Sequence, residues 1–349
     1  MKSIPLGRTG IMVSDWCLGT MTFGNQTPEA DAHSQIDAAE SAGVNFLDTA
    51  EMYPVNPVSA ETVGNSERIV GNWFAKAGSR RDKWIIATKV SGDNPGFVRG
   101  GRGYDGEVIA EAVDGSLKRL RTDVIDLYQT HWPIRGSYMF RQNWTFDPRK
   151  QPSKAQVEDH MNEVLDAMDA QVKAGKIRAW GLSNESAWGT AEWLRLAGAR
   201  GLPRVASIQN EYSLLCRLFD TDLAELCHHE DVLLLAFSPL GAGFLTGKYQ
   251  GGAVPKGSRM ELGPTMGGRM SGRVLGAVQA YLDIASRHGV DPVHMSLAWL
   301  RARPFANSAI FGATTLAQLE HVLAGDSLTL GDEVLAEIDA AHRANPMPY

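Results

Sequence analysis

The stretch Trp84-Ile85-Ile86-Ala87-Thr88-Lys89-Val90 is a short, continuously apolar run that ends close to a lysine. Apolar residues then recur with helical spacing over residues 108–120, and a second apolar run follows at residues 124–131. Strands without alternation of apolar and polar residues are typical of parallel sheets that are covered by helices on both faces. The stretch therefore predicts a strand, a helix and a second parallel strand, which is the repeating unit of an α/β fold.

The same alternation runs through the whole chain. Eight strand-like runs occur, at residues 16–21, 44–48, 84–90, 124–131, 177–182, 205–209, 232–237 and 308–312. Together they predict a (β/α)8 TIM barrel formed by one domain, residues 1–349. We expect an N-terminal β-hairpin over residues 4–13 that plugs one end of the barrel, and long loops at 132–155 and 241–272, after the fourth and seventh strands.

A doubly wound nucleotide-binding sheet would also alternate strands and helices. The chain contains a literal Gly-x-Gly-x-x-Gly pattern at residues 101–106. A dinucleotide fingerprint needs a strand that runs directly into the first glycine, and here the nearest predicted strand ends about ten residues earlier. We interpret the pattern as a loop that leads into a helix starting at Asp105.

Composition restricts the classes of partner. Of the 349 residues, 44% are hydrophobic and 21% are charged, which is typical of a globular protein and excludes intrinsic disorder. The net charge of -6 gives no attraction for nucleic acid or anionic lipid. The first residues lack a signal-peptide core, and the most apolar run, 232–237, is too short to cross a membrane, so we expect a cytoplasmic protein.

The cysteines predict neither a disulfide framework nor a metal site. Cys17, Cys216 and Cys227 have no Cys-x-x-Cys spacing, and three cysteines cannot all pair with one another. We therefore expect small buried or half-buried side chains and no metal.

Four polar residues at or near predicted strand ends are candidates for chemistry. Asp48 ends the second strand, Tyr53 follows five residues later, Lys89 lies near the end of the third strand, and His131 ends the fourth. In a barrel the carboxyl ends of the strands carry the active site. Taken singly, each has a structural explanation, as a helix cap, a loop aromatic, half of an ion pair and a buried histidine respectively.

Taken together, the four residues predict a proton-donating site. An ammonium at Lys89 would lower the pKa of the Tyr53 phenol, ordinarily about 10, and Asp48 would neutralise the buried cation. His131 would hydrogen-bond a substrate oxygen. Such a site protonates a developing alkoxide and needs an electron donor, for which a hydride-donating cofactor is suited. A Schiff-base role for Lys89 is a further possibility, which a carboxylate at Asp48 opposes because it keeps the amine protonated.

Several longer motifs point to one protein family. The chain resembles the aldo-keto reductase superfamily and is most similar to its Tas-like branch, near the potassium-channel β-subunit-like reductases. The motifs that carry this resemblance are LGTMTFG at 18–24, NFLDTAEMYP at 45–54, GNW at 71–73, ATKV at 87–90, DLYQTHWP at 126–133, GKIR at 175–178, GLSN at 181–184, FSPL at 237–240 and GATT at 312–315.

The resemblance implies that Tyr53 is the general acid of a tetrad with Asp48, Lys89 and His131, and that the hydride comes from NADPH. It implies that Ser183, Asn184 and Gln209 hold the nicotinamide carboxamide, that Phe237 stacks on the ring, and that Ser238, Leu240 and Gly241 contact the pyrophosphate. Lys248 and Arg259 would lie over the phosphates, and Thr314 and Gln318 near the adenosine phosphate. The remaining implied cofactor contacts are Thr20, Met21, Asp48 and Gly312.

The chain departs from its relatives near the adenosine end of the implied cofactor site. Thr315 replaces a common Arg or Asn, and Val322 replaces an Asn. Lys248 and Arg259 would then be the main partners of a 2′-phosphate.

The expected partner is a small-molecule carbonyl substrate that contacts Tyr53, His131, Trp132 and Trp144. The loop at 132–155 is rich in aromatic residues, which would either line an apolar pocket or anchor the loop to the barrel. The resemblance implies reduction of an aldehyde or ketone to the alcohol. The alternative to this reductase function is a slow-turnover NADP(H)-binding protein that senses redox state and acts through a partner.

Overall fold

A computed structural model describes all 349 residues and contains a closed barrel of eight parallel strands. An antiparallel hairpin of two strands precedes the barrel, and the last barrel strand pairs with the first to close it. The hairpin strands are β1 (Ser3–Pro5) and β2 (Met12–Ser14), and the barrel strands are β3 (Trp16–Gly19), β4 (Phe46–Asp48), β5 (Ile85–Val90), β6 (Ile125–Thr130), β7 (Ile177–Ser183), β8 (Ser207–Glu211), β9 (Leu233–Phe237) and β10 (Asn307–Phe311). The predicted TIM barrel with an N-terminal hairpin is confirmed.

Helices alternate with the barrel strands. They are α1 (Glu29–Ser41), α2 (Asn65–Ala77), α3 (Gly106–Leu120), α4 (Lys154–Lys173), α5 (Ala187–Arg200), α6 (Asp222–Glu230), α7 (Arg259–Leu262), α8 (Val274–Arg287), α9 (Pro292–Arg301), α10 (Leu316–Leu323) and α11 (Asp332–Ala344). The carboxylate of Asp105 accepts a hydrogen bond from the Val108 amide and caps α3. The glycine-rich stretch before it is therefore a loop that ends at a helix cap, as predicted.

The hairpin closes the amino-terminal end of the barrel. Leu6, Ile11 and Val13 are buried and belong to one cluster with inward-facing barrel side chains. The barrel members of this cluster are Cys17, Phe46, Ala87, Leu127, Ala179, Ala206, Leu233, Leu235 and Ile310. Because this apolar layer fills one end, polar side chains of the interior are confined to the carboxyl ends of the strands.

Two long connections lie at that carboxyl-terminal end, as predicted. One joins β6 to α4, and the other joins β9 to α8 and contains the short helix α7. The strand β6 ends at Thr130, so His131 is the first residue of the loop and not the last of the strand. Its backbone amide still donates to the Val90 carbonyl at 2.9 Å, which places its side chain at the barrel rim.

No helix is both long enough and apolar enough to cross a membrane. The three cysteines are free and buried.

Candidate active site

The structure brings the four candidate residues together. The Lys89 ammonium is fully buried and donates to Asp48 Oδ2 at 2.6 Å and to the Thr49 carbonyl at 2.7 Å. The same nitrogen lies 4.9 Å from the centre of the Tyr53 ring. The Tyr53 ring meets the His131 ring edge-on, with centroids 5.7 Å apart. A phenol, an ammonium, a carboxylate and an imidazole are therefore neighbours at the barrel rim.

Two glutamines complete the surroundings of Asp48. Gln209 Nε2 donates to Asp48 Oδ1 at 2.8 Å, and Gln129 Nε2 lies 3.3 Å from the same oxygen. Sequence reasoning gave Gln209 only a cofactor role and missed Gln129. The signal that could have found it was register, because Gln129 pairs with Lys89 across neighbouring strands and so points into the barrel at the same level.

The pKa of Tyr53 is raised above its usual value, contrary to the expectation from sequence. Burial has the largest effect because it penalises the phenolate, and it outweighs the opposite effect of the Lys89 charge. The predicted sign of the lysine contribution is correct, but its predicted dominance is wrong. The phenol consequently keeps its proton at neutral pH.

The pKa of Lys89 is also raised. Burial alone would lower it, but the negative charge of Asp48 and its hydrogen bond favour the ammonium. A protonated amine with two acceptors is a poor nucleophile. The structure thus disfavours the Schiff-base role for Lys89.

The imidazole of His131 is neutral. Burial, together with the nearby Lys89 charge, lowers its pKa well below the usual value. Its Nδ1 atom is buried without a hydrogen-bond partner in the protein. A neutral imidazole carries one N–H, so it can donate a single hydrogen bond to a substrate oxygen.

Ser183 and Asn184 lie at the end of β7, next to the tetrad. Asn184 donates through Nδ2 to the His131 carbonyl and to Ser183 Oγ, both at 3.0 Å, and Ser183 Oγ donates to the Gln209 carbonyl at 2.9 Å. Because the Asn184 nitrogen is committed, its side-chain oxygen is the atom left to accept from a carboxamide N–H. The two residues fit the predicted nicotinamide contact.

The segment after β9 has an unusual backbone. Ser238, Gly241, Ala242 and Gly243 all have positive φ, at 54°, 56°, 57° and 93°. Leu240 has a φ of −98° and directly precedes Gly241, and a residue of negative φ followed by one of positive φ turns successive N–H groups to one side, which forms a concave anion-binding site. Phe237, directly before this segment, is half-buried at the strand end. The segment therefore suits the predicted pyrophosphate contact.

Positive charge beside this segment is incompletely neutralised. Arg259 forms no ion pair, while Arg141 and Arg269 both pair with the single carboxylate of Glu211. Burial, reinforced by repulsion from Arg269 and by Arg141, lowers the pKa of Arg259 to about 10. An anionic group beside Arg259 would relieve this cost. The predicted phosphate position thus fits the charges of the site.

The other predicted cofactor contacts lie around the same rim. Thr20 Oγ1 donates to the Asp48 carbonyl at 3.0 Å, next to the tetrad. Lys248 is exposed, with its ammonium 5.2 Å from the Tyr249 ring centre. Thr314 and Gln318 bond to each other at the start of α10, since Gln318 Oε1 accepts from the Thr314 amide and hydroxyl, both at 3.0 Å. Met21 and Leu240 are half-buried, and Gly312 is exposed.

The two predicted substrate tryptophans have different surroundings. The Trp132 ring lies 4.8 Å from the His131 ring, and its Nε1 donates to the Asp93 carbonyl at 3.2 Å. Trp144 is 60% exposed, and the Arg273 guanidinium lies 5.9 Å from its ring. The structure thus brings Trp132, and not Trp144, against the tetrad.

Comparisons with known proteins show the family of the chain. The family model described as "Aldo/keto reductase family" matches residues 16–343. "Protein tas" of Escherichia coli (strain K12) is 46% identical over 97% of both chains. "Uncharacterized oxidoreductase YrpG" of Bacillus subtilis is 31% identical over 96% of this chain and 94% of its own. "Probable voltage-gated potassium channel subunit beta" of Arabidopsis thaliana is 31% identical, over 90% and 88%. The resemblance found in the sequence is confirmed, and the chain belongs to the aldo/keto reductase family.

Proposed function

We propose that the protein reduces an aldehyde or ketone to the alcohol with NADPH. The observation that carries this proposal is the buried Lys89–Asp48 pair, which sets an ammonium under the Tyr53 ring while His131 packs against the ring edge. NADPH would supply a hydride to the carbonyl carbon. Tyr53 would give its proton to the carbonyl oxygen, so that one C–H and one O–H bond form.

The residues around Tyr53 divide the work of this step. His131 orients the substrate oxygen by donating one hydrogen bond. Lys89 stabilises the tyrosinate that remains after proton transfer, because its positive charge lies beside the ring. Asp48 holds the ammonium in place, and the two glutamines hold Asp48. The raised pKa of Tyr53 keeps the donor loaded at neutral pH.

NADPH is proposed over NADH because of two cations within the β9–α8 loop. Arg259 has no ion-pair partner, and Lys248 is exposed next to Gly243, where a methyl group added to the glycine would lie 3.3 Å from the ammonium. Both are available to a 2′-phosphate. Arg259→Met should weaken NADPH binding and leave NADH binding less affected.

The test follows NADPH oxidation with a panel of aliphatic and aromatic aldehydes. We expect turnover by the wild-type protein and a loss of about 10²- to 10⁴-fold in Tyr53→Phe, the usual contribution of a general acid. NADPH binding should survive this substitution. Tyr281→Phe is the matched control, since Tyr281 is a buried tyrosine whose hydroxyl donates to the Leu214 carbonyl and to no residue of the tetrad. A Tyr53→Phe protein as fast as the control would refute the catalytic assignment.

A second function, slow turnover with redox sensing through a partner, is suggested by relatives named as probable potassium channel β subunits. It predicts tight NADP(H) retention with weak activity toward every aldehyde in the panel. Fast turnover with any of them, followed by ready nucleotide exchange, favours the reductase.

A further inference from the structure

One buried carboxylate joins three segments that are far apart in the sequence. Glu211 ends β8 and is 9% exposed. Its Oε2 accepts from Arg141 Nη1 at 2.6 Å, and its Oε1 accepts from Arg269 Nε at 2.7 Å. The hydroxyl of Tyr349, which is itself buried, donates to Oε1 at 3.1 Å. We call Glu211, Arg141, Arg269 and Tyr349 the Glu211 clasp.

The clasp unites the two long loops of the active-site end. Arg141 belongs to the β6–α4 loop and Arg269 to the β9–α8 loop. These loops are far apart in the sequence, so side-chain contacts are needed to hold them together. Arg269 also donates to the Met266 carbonyl at 3.1 Å, and its Nη2 lies 3.5 Å from Ser238 Oγ. The clasp therefore reaches the segment where we place the pyrophosphate.

The segment around Tyr349 packs against the end of the β9–α8 loop. The Ser271 hydroxyl donates to the Pro348 carbonyl, and Arg273 Nη2 donates to the Met347 carbonyl at 2.9 Å. A cavity beside the clasp is lined by residues of the β6–α4 loop, of β8 and of the terminal segment, and by the proposed nicotinamide contact, including Met139, Phe140, Asn184, Met347 and Tyr349. Asn184 thus lines the same cavity as three clasp residues, Arg141, Glu211 and Tyr349.

The register of the sheet places the clasp beside the cofactor position. Glu211 pairs with Phe237 across β8 and β9, and Phe237 is the residue proposed to stack on the nicotinamide. Burial alone would raise the pKa of the Glu211 carboxyl, but the charges of Arg269 and Arg141 outweigh it and lower this pKa below the usual value. Because the two guanidinium groups share this one carboxylate, the Glu211 side chain fixes the positions of both loops at the same point.

We infer that the Glu211 clasp locks the two long loops together over the nucleotide and thereby sets how fast NADP(H) is released, with Tyr349 acting as a positioning residue. This inference rests on the proposed NADP(H) binding. It concerns exchange of the nucleotide and not the proton or hydride step, because the clasp residues bond to one another and not to Tyr53.

The experiment compares Tyr349→Phe with the control Tyr281→Phe. Each substitution removes one buried hydroxyl, but only the first removes a clasp hydrogen bond. Amide hydrogen exchange without added nucleotide should rise in residues 139–145 and 263–270 of Tyr349→Phe, although the substitution lies in neither segment. The release rate of NADPH, followed by stopped-flow fluorescence, should rise about tenfold, the scale of one lost hydrogen bond to a charged group. Single-turnover reduction by prebound NADPH should be unchanged.

The possible results separate the clasp from the proposed function. Faster amide exchange that is confined to the neighbourhood of residue 349 would overturn the clasp, as would an unchanged NADPH release rate. Slower single-turnover reduction would also overturn it, since that would place Tyr349 in the chemistry. A wild-type protein that binds no NADPH would refute the proposed function, while the coupled amide exchange of the two loops would still be measured in the same experiment. Glu211→Gln gives a second reading, with a larger increase in the exchange of both loops expected.

Discussion

At the scale of the residue, the proton donor is decided by a competition between burial and charge. Burial raises the pKa of Tyr53 and the ammonium of Lys89 lowers it, with burial winning. Both effects serve reduction, because one keeps the phenol protonated and the other stabilises the tyrosinate after transfer. Burial lowers the pKa of His131, so near neutral pH its imidazole is neutral and carries no acidic proton that would compete with the Tyr53 phenol as proton donor.

The pH dependence of the reaction follows from these directions. Reduction needs the protonated phenol, which is present below its pKa and lost as the pH rises through it. Because this pKa is raised, we expect kcat/KM for reduction to stay level from about pH 6 to about pH 9, and alcohol oxidation to increase with pH. Steady-state rates measured in both directions across this range test the expectation. Reduction that falls with a midpoint near neutrality would show that another group donates the proton.

The glutamines around Asp48 make a second prediction at this scale. Gln209→Leu removes the closer hydrogen bond to the buried carboxylate, and Gln129→Leu removes the longer one. We expect Gln209→Leu to reduce the free energy of unfolding by about 1–3 kcal/mol, and Gln129→Leu to reduce it less. Urea denaturation measures both values. A larger loss in Gln129→Leu would contradict the assignment of Gln209 as the main support of Asp48.

The identities of the tetrad residues could be predicted from the sequence, but their balance could not. Lys89 and Asp48 lie at the ends of neighbouring strands, so their proximity follows from strand register. The net pKa of Tyr53 depends on how many atoms bury the hydroxyl, and loops far away in the sequence supply those atoms. The role of Gln129 could have been predicted from register as well, because Gln129 pairs with Lys89 across neighbouring strands.

At the scale of the element, the start of the β9–α8 loop requires backbone conformations that favour glycine. Gly241 has a φ of 56°, and a methyl group there would lie 2.8 Å from Leu215 Cδ1. Gly251, later in the same connection, has a φ of 68° with no atom within 4 Å of such a methyl group. Alanine at either position would therefore have the same unfavourable left-handed backbone conformation, but only at Gly241 would its methyl group also be too close to a neighbouring side chain.

We expect Gly241→Ala to weaken NADPH binding by about tenfold or more, since both a left-handed alanine and the contact with Leu215 must be accommodated beside the proposed pyrophosphate site. Gly251→Ala should carry the backbone cost alone and bind NADPH almost normally. Fluorescence titration with NADPH compares the two variants. Equal affinities would mean that the segment after β9 does not hold the nucleotide.

The elements themselves were largely predictable, and the contacts between loops were not. Helical spacing located α3 and α4, and Asp105 marked the start of α3. The long loops were predicted by their length alone, and their aromatic residues left two roles open. The structure places Trp132 at the site and leaves Trp144 at the surface beside Arg273. The ion pairs of Glu211 had no sequence signal, because their partners are 58 and 70 residues away.

At the scale of the whole molecule, the apolar layer that stabilises the fold and the candidate active site lie at opposite ends of the barrel. The apolar hairpin layer fills the amino-terminal end, and the polar site occupies the opposite end. Eight repeated strand-helix units made this architecture predictable from periodicity. The closing contact between β10 and β3 is a consequence of the eighth strand and needs no separate signal.

This separation predicts a stability change without an activity change. Leu6 is fully buried against the barrel interior, whereas Met12 of the same hairpin is 45% exposed. We expect Leu6→Ala to reduce the free energy of unfolding by about 2–5 kcal/mol and Met12→Ala to have little effect. Both folded variants should keep the wild-type kcat. A loss of kcat in folded Leu6→Ala protein would show that the hairpin also shapes the site.

The most direct test of the central claim is the transfer of label from NADPH that carries deuterium at nicotinamide C4. The wild-type protein and Tyr53→Phe are incubated with an aldehyde from the panel, and the alcohol is analysed by mass spectrometry and NMR. Using NADPH deuterated on each face of C4 in turn, we predict one deuterium on the carbinol carbon from one of the two forms, with far less product from Tyr53→Phe. Product without deuterium from either form, or equal product from both proteins, would contradict hydride transfer with Tyr53 as the proton donor.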